Sequence, residues 1–182
     1  MRAAMVLTIS DGVAAGTRID ESGAQLAARL IELGFDCRQE VVADEMEAIA
    51  MAVARAADSA ALVLTTGGTG LGPRDLTPQT LQSLLDYEIP GFGEVMRSAG
   101  RASTPLADLS RSLAGVLGRT LVVAVPGSRS GATESLAAIE PLLEHALDTL
   151  AGATEHYPPP DEGQRSNAAD QRGSADHHGD DA

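Results

Sequence analysis

An α/β fold with a mainly parallel central sheet is predicted by three features of this 182-residue chain. Short apolar runs suited to buried strands alternate with longer segments whose apolar residues recur at helical spacing. Glycine, proline or a capping residue stands at most of the junctions. The length fits one ordinary domain, and no internal repeat divides it.

The elements follow in order. Met1–Ser10 contains the run AAMVLTIS and reads as a buried strand. Asp11–Asp20 reads as a glycine-containing loop. Helical spacing starts near Ser22, with Leu26, Leu30, Ile31 and Leu33 on one face, and Gly34 stands where a terminator belongs. Residues 36–42, DCRQEVV, alternate weakly as a second strand. Asp44 follows at a cap position, and Met46, Ile49, Val53 and Ala57 continue at helical spacing. Ala60–Thr66 is a strongly apolar strand running straight into Gly67-Gly68-Thr69-Gly70. Thr77 is expected to cap the next helix, with Pro78 at its first position and Leu81, Leu84 and Leu85 as its stripe. Pro90 opens a helical stretch to about Ser98, and Ala99–Leu109 reads as a loop. Ser110–Val116 and Arg119–Val125 look like strands paired around Gly118. Pro126-Gly127-Ser128 comes next, and a last helix covers roughly Gly131–Leu150.

Hydrophobic residues make up 43% of the chain, so a core is available, but an aliphatic one. Its aromatic contributions are expected from Phe35, Phe92 and Tyr87 alone. All 13 basic residues are arginines. A Walker phosphate loop, a Schiff base and a catalytic ammonium are therefore excluded, and any basic side chain on a phosphate must be Arg. A net charge of −13 argues against nucleic acid or anionic membrane as a broad partner. Cys37 is the only cysteine, so no intrachain disulfide forms, which suits a reducing compartment. The N-terminal residues lack a signal-peptide pattern, and no apolar run approaches a membrane span. The chain reads as cytoplasmic. Residues 152–182 differ in kind: a proline triplet and a polar, acidic run whose only aliphatics are alanines read as a disordered tail. His177, His178, Asp180 and Asp181 in it read as solvated rather than as a metal site.

Ligands of open α/β sheets bind beyond the carboxyl ends of the strands. Three such ends carry unusual residues: Ser10-Asp11-Gly12, then Gly67-Gly68-Thr69-Gly70 with Pro73-Arg74-Asp75, then Pro126-Gly127-Ser128. Four glycines in the stretch from Gly67 to Gly72 let backbone N–H groups approach a phosphate. Arg74 is placed to fork a phosphate and Asp75 to hold Mg²⁺, which favours carboxylate plus phosphate oxygens. A strand-to-helix turn with capping residues accounts for the same stretch equally well. Asp44 reads as a helix cap, a metal neighbour or both, and Asp20 carries the same ambiguity. Ser10 either finishes a strand or meets a ligand. Ser128 has the better case, because Pro-Gly-Ser before a helix makes an anion nest.

The ordered set TTGGTGLGPRDLTPQT, IPGFGEVMR and LSRSLAGVLGRTLVVAVPGS resembles the MoaB/Mog family of molybdopterin-binding proteins, as do TISD, DESG and ADE earlier in the chain. The match is collinear over residues 1–151. The resemblance implies a three-layer α/β/α sandwich with a mixed but mainly parallel sheet, usually a trimer. It implies a pterin site at the glycine loop with Mg-ATP beside it, and transfer of AMP to the terminal phosphate of molybdopterin with loss of pyrophosphate. A downstream molybdenum-insertion protein would receive the product. Carried over by position, Asp44 and Asp75 match the functional acids, Gly67, Gly68, Thr69 and Gly70 the glycine loop, Ser110 and Arg111 the LSR segment, and Pro126, Gly127 and Ser128 the closing turn. After Ser128 this chain reads Arg129-Ser130-Gly131-Ala132, where many relatives have proline. The rival readings are a pterin carrier without adenylyl transfer, an interaction scaffold and a general nucleotide hydrolase.

Overall fold

In a computed structural model, which describes residues 1–152, the chain forms a six-stranded sheet in the order β2-β1-β3-β6-β5-β4. Here β1 is Arg2–Ile9, β2 Phe35–Val42, β3 Leu62–Thr66, β4 Tyr87–Glu88, β5 Leu113–Leu117 and β6 Thr120–Val125. The first four in space are mutually parallel, while β5 runs antiparallel to β6 and β4 antiparallel to β5. The expected α/β class and mixed, mainly parallel sheet are therefore found. The tail expected from residue 152 lies, beyond Gly152, outside the described residues.

The helices are α1 Asp11–Ala14, α2 Glu21–Glu32, α3 Met46–Ala57, α4 Thr77–Leu84, α5 Pro90–Gly100 and α6 Arg129–Leu150. Side chains alternate across a strand, so each central strand feeds two cores. On one face Val6, Leu62, Leu64, Leu121 and Val123 meet Leu26 and Leu30 of α2, Phe92 and Met96 of α5 and Leu136 and Ile139 of α6. On the other, Leu7, Val63 and Val122 meet Ile49 and Val53 of α3 and Leu81 of α4. Three layers result.

Several expectations need correction. The Asp11–Asp20 loop begins with the short helix α1, which Ser10 caps through an acceptor bond from Val13 N. Thr77 is not a cap but the first residue of α4; it is fully buried, and its hydroxyl donates to Gly67 O. Asp44 does not cap α3, whose N-cap is Glu45 without a side-chain bond. Ile31 and Leu33 leave the α2 stripe for solvent, and Tyr87, expected in the core, is 57% exposed on the short β4. Pro105–Leu109 is a 3-10 turn rather than plain loop. Strand β5 starts at Leu113, not Ser110, because the backbone of Arg111 is drawn to the glycine loop, its N–H donating to Thr69 O at 3.0 Å.

Candidate active site

Strands β1, β2, β3 and β6 are parallel, so their carboxyl ends at Ile9, Val42, Thr66 and Val125 lie on one side of the sheet. The glycine loop crosses this edge as a tightly packed turn. Gly67 has φ +107°, and a Cβ there would fall 2.3 Å from the carbonyl oxygen of Ile9. Its Cα is also the surface on which Gly127 rests, since a Cβ on Gly127 would come within 3.0 Å of it. Thr66 Oγ1 donates to Pro126 O at 2.8 Å, and Thr77 N to Gly68 O at 3.2 Å. These glycines therefore serve backbone-on-backbone packing, and the Gly67 N–H itself donates to Val125 O at 3.3 Å.

Arg111 is a brace. Its Nε donates to Gly70 O at 2.8 Å and its Nη2 to Asp75 O at 2.6 Å. The guanidinium thus fixes both sides of the Gly70–Asp75 turn. Within the turn, Asp75 Oδ2 accepts from Gly72 N at 2.7 Å. Asp44 and Asp11 exchange bonds, Asp11 N donating to Asp44 Oδ2 at 2.7 Å and Asp44 N to Asp11 Oδ1 at 3.0 Å. Arg74 closes this knot by pairing with Asp11 Oδ2 and donating to Asp44 O at 3.3 Å. Because Arg74 adjoins Asp75 in the chain, Asp44 and Asp75 belong to neighbouring loops at the same end of the sheet. Asp20 caps α2 through Gly23 N at 2.8 Å and also accepts from Thr8 Oγ1 at 2.7 Å. Ser128 caps α6 by accepting from Gly131 N at 3.3 Å.

Two clefts open over this edge. One, of about 530 Å³, is lined by Thr69, Gly70, Ser110, Pro126, Gly127 and Ser128 together with apolar residues of α5 and the 3-10 turn. The other, of about 760 Å³, is lined by Thr8, Ser10, Asp20, Asp44, Gly67 and Gly68, and again by Gly127 and Ser128. Gly127 and Ser128 thus form the seam. The structure gathers ten of the expected site residues on these walls. Asp11, Arg74, Asp75 and Arg111 line neither cleft. Among the described residues no three His, Cys, Asp or Glu side chains gather as a metal cage. Arg97 and Glu134, both on the wall of the first cleft, were not among the expected site residues. The sequence signal for Arg97 is Gly93 one helical turn earlier, which leaves room for the guanidinium.

Residues 5–145 match the family described as a probable molybdopterin binding domain. The chain belongs to this molybdopterin-binding domain family. A molybdenum cofactor biosynthesis bifunctional protein of Synechococcus elongatus is 43% identical over 152 residues, 82% of this chain but 48% of that one. The chain thus spans about half the length of the bifunctional relatives it matches. A molybdopterin adenylyltransferase of Helicobacter pylori is 34% identical over 152 residues, covering 81% of this chain and 86% of that one. The solved structure of the molybdopterin biosynthesis enzyme MoaB from Thermus thermophilus superimposes with a TM-score of 0.75 at 44% identity, over 84% of this chain and 98% of that one. Among the described residues of this family member, no helix is long and apolar enough to cross a membrane.

Proposed function

We propose that this chain works in molybdenum-cofactor biosynthesis as a molybdopterin adenylyltransferase, joining AMP from Mg-ATP to the phosphate of molybdopterin and releasing pyrophosphate. The observation that carries the reading is the pair of clefts meeting at Gly127 and Ser128. Each has a volume suited to a small ligand, and a shared seam lets two bound substrates bring their phosphates together. Relatives bearing the adenylyltransferase name support it.

The nucleophile is a phosphate already carrying negative charge, so no strong general base is needed. The barrier is the approach of two polyanions. Backbone N–H groups of Gly68, Thr69 and Gly70, and of the turn at Ser128, which opens α6, favour phosphate charge there, whereas the Gly67 N–H donates to Val125 O. Asp44 lies on the second cleft and Asp75 on the neighbouring loop; among the described residues each has one carboxylate oxygen that accepts no hydrogen bond, and a Mg²⁺ held by both would complete its shell with phosphate and water. Mg²⁺ bound there would neutralise phosphate charge. Arg111 acts on this picture through Gly70 and Asp75, not by touching phosphate. We also assign the reaction to the cytoplasm, as the lone cysteine and reducing compartment suggest, and to a homotrimer that hands its product to a molybdenum-insertion protein, as the resemblance implies.

A carrier that binds the pterin without chemistry is the second reading. It is favoured by the local bonds that already engage Asp11, Asp44 and Asp75. Incubation with molybdopterin and Mg-ATP separates the two: adenylylated pterin with stoichiometric pyrophosphate supports the enzyme, and bound but unchanged pterin selects the carrier.

A further inference from the structure

The first cleft holds two opposite charges that do not pair with each other. Among the described residues, Arg97 of α5 is the only basic residue on its wall and Glu134 of α6 the only acidic one. No ion pair within 4 Å joins them, and Arg97 has no carboxylate partner among the described residues. The rest of the wall is aliphatic or hydroxyl-bearing, including Leu71, Met96, Leu106 and Leu109.

Both charges are held in place. Arg97 Nη1 donates to Ser112 O at 3.1 Å and Ser110 O at 3.4 Å, leaving Nε and Nη2 without a protein partner among the described residues. The side chain lies over Gly93, where a Cβ would come within 3.1 Å of both terminal nitrogens. Glu134 Oε1 accepts from Ser103 Oγ at 2.9 Å, and Oε2 has no protein partner among the described residues. Both side chains are only partly buried, so a ligand carrying complementary groups can reach them. A cleft with one fixed cation, one fixed anion and apolar walls suits a flat ligand that is anionic at one end and rich in N–H donors at the other.

We infer that Arg97 binds the anionic phosphate end of the pterin substrate and that Glu134 accepts hydrogen bonds from the amino-pyrimidinone edge of its ring. The inference rests on the adenylyltransferase reading for the class of ligand and adds the residues that orient it. A guanidinium can donate two parallel bonds to a phosphate, and a carboxylate can accept two from an amino-pyrimidinone edge. The same Arg97 also steadies Ser110 and Ser112, which flank the brace Arg111, so a control for a merely structural role is essential.

The test is equilibrium titration of wild type, Arg97→Gln and Glu134→Gln with hydroxymethylpterin, with its phosphate ester and with Mg-ATP. Arg97→Gln should lose about 10- to 100-fold in affinity for the ester, the range for a hydrogen bond to a charged group, while hydroxymethylpterin and Mg-ATP bind as before. Glu134→Gln should weaken both pterins by about 10-fold and leave Mg-ATP unchanged. Equal loss of all three ligands in Arg97→Gln would overturn the inference, because it would mark a brace for the loop and nothing more. Adenylyl transfer by the wild type, with both variants titrating like their parent, would overturn the inference while the proposed activity stands. The predicted titrations without any transfer would support it and refute the activity alone.

Discussion

Asp75 divides its carboxylate between two tasks. Oδ2 holds the Gly72 N–H at 2.7 Å, and Oδ1 faces no donor among the described residues. Asparagine keeps an acceptor for Gly72 but removes the charge. Asp75→Asn should therefore lower adenylyl transfer by about 100-fold or more while most pterin affinity survives, as single-turnover rates and titration would show. Equal loss of both would make Asp75 a folding residue. Thr65 offers a test free of function: its Oγ1 is buried without a hydrogen-bond partner among the described residues. Thr65→Val should raise stability by about 1 kcal/mol in urea unfolding, since valine has the same shape and no polar group to desolvate. At the residue scale the sequence was partly legible where partners are near: Asp20, open between cap and metal neighbour, caps α2 at three-residue spacing, and Ser128, read as part of an anion nest, caps α6 in the same way. The knot between Asp11 and Asp44, 33 residues apart, and the reach of Arg111 to Asp75, 36 apart, leave no periodic trace in a chain.

At the scale of elements, the turn after β3 is the part on which the site depends. Gly67 combines a positive φ with contact to the β1 carbonyl end, so Gly67→Ala is strained twice. It should cost about 3 kcal/mol or more of stability and should weaken both substrates together. Gly68 is constrained in the same way, with φ +64° and a Cβ that would fall 2.4 Å from Thr77 Oγ1, so a side chain there should disturb the turn as well as any ligand. On the far side, α2 and α6 are tied by Arg29 and Glu140 in a two-bond fork of 2.8 and 2.7 Å. The hydrogen bond from Arg29 holds the Glu140 carboxyl below its usual range; its charge adds to this, and partial burial opposes it. The stabilisation is present above the ordinary glutamate value of about 4.3 and is lost as pH falls through the lowered one. Glu140→Gln should accordingly flatten the acid side of the melting-temperature profile and leave the neutral-to-basic side parallel to wild type. Strands and long helices were legible from apolar spacing. The two-residue β4 and the 3-10 turn were not, since each is too short for a period and is held by tertiary contacts.

Across the whole molecule, the parallel strands bring loops that are distant in sequence to one edge, and two clefts share the turn that closes it. The strand order followed from no local signal; the glycine loop and the Pro-Gly-Ser turn announced themselves because only special backbone residues fit there. What stayed hidden was the division of labour: residues such as Arg111 that support the loops, and Arg97 and Glu134, which face the cleft from helices on either side. The account makes one demand of the intact protein, that a nucleotide and a pterin react across the seam at Ser128. ATP radiolabelled at its α-phosphorus, mixed with the protein, Mg²⁺ and molybdopterin, measures this directly. The account predicts label appearing on the pterin at the rate pyrophosphate is released. Label confined to ATP, or released as free AMP with the pterin unmodified, would contradict it.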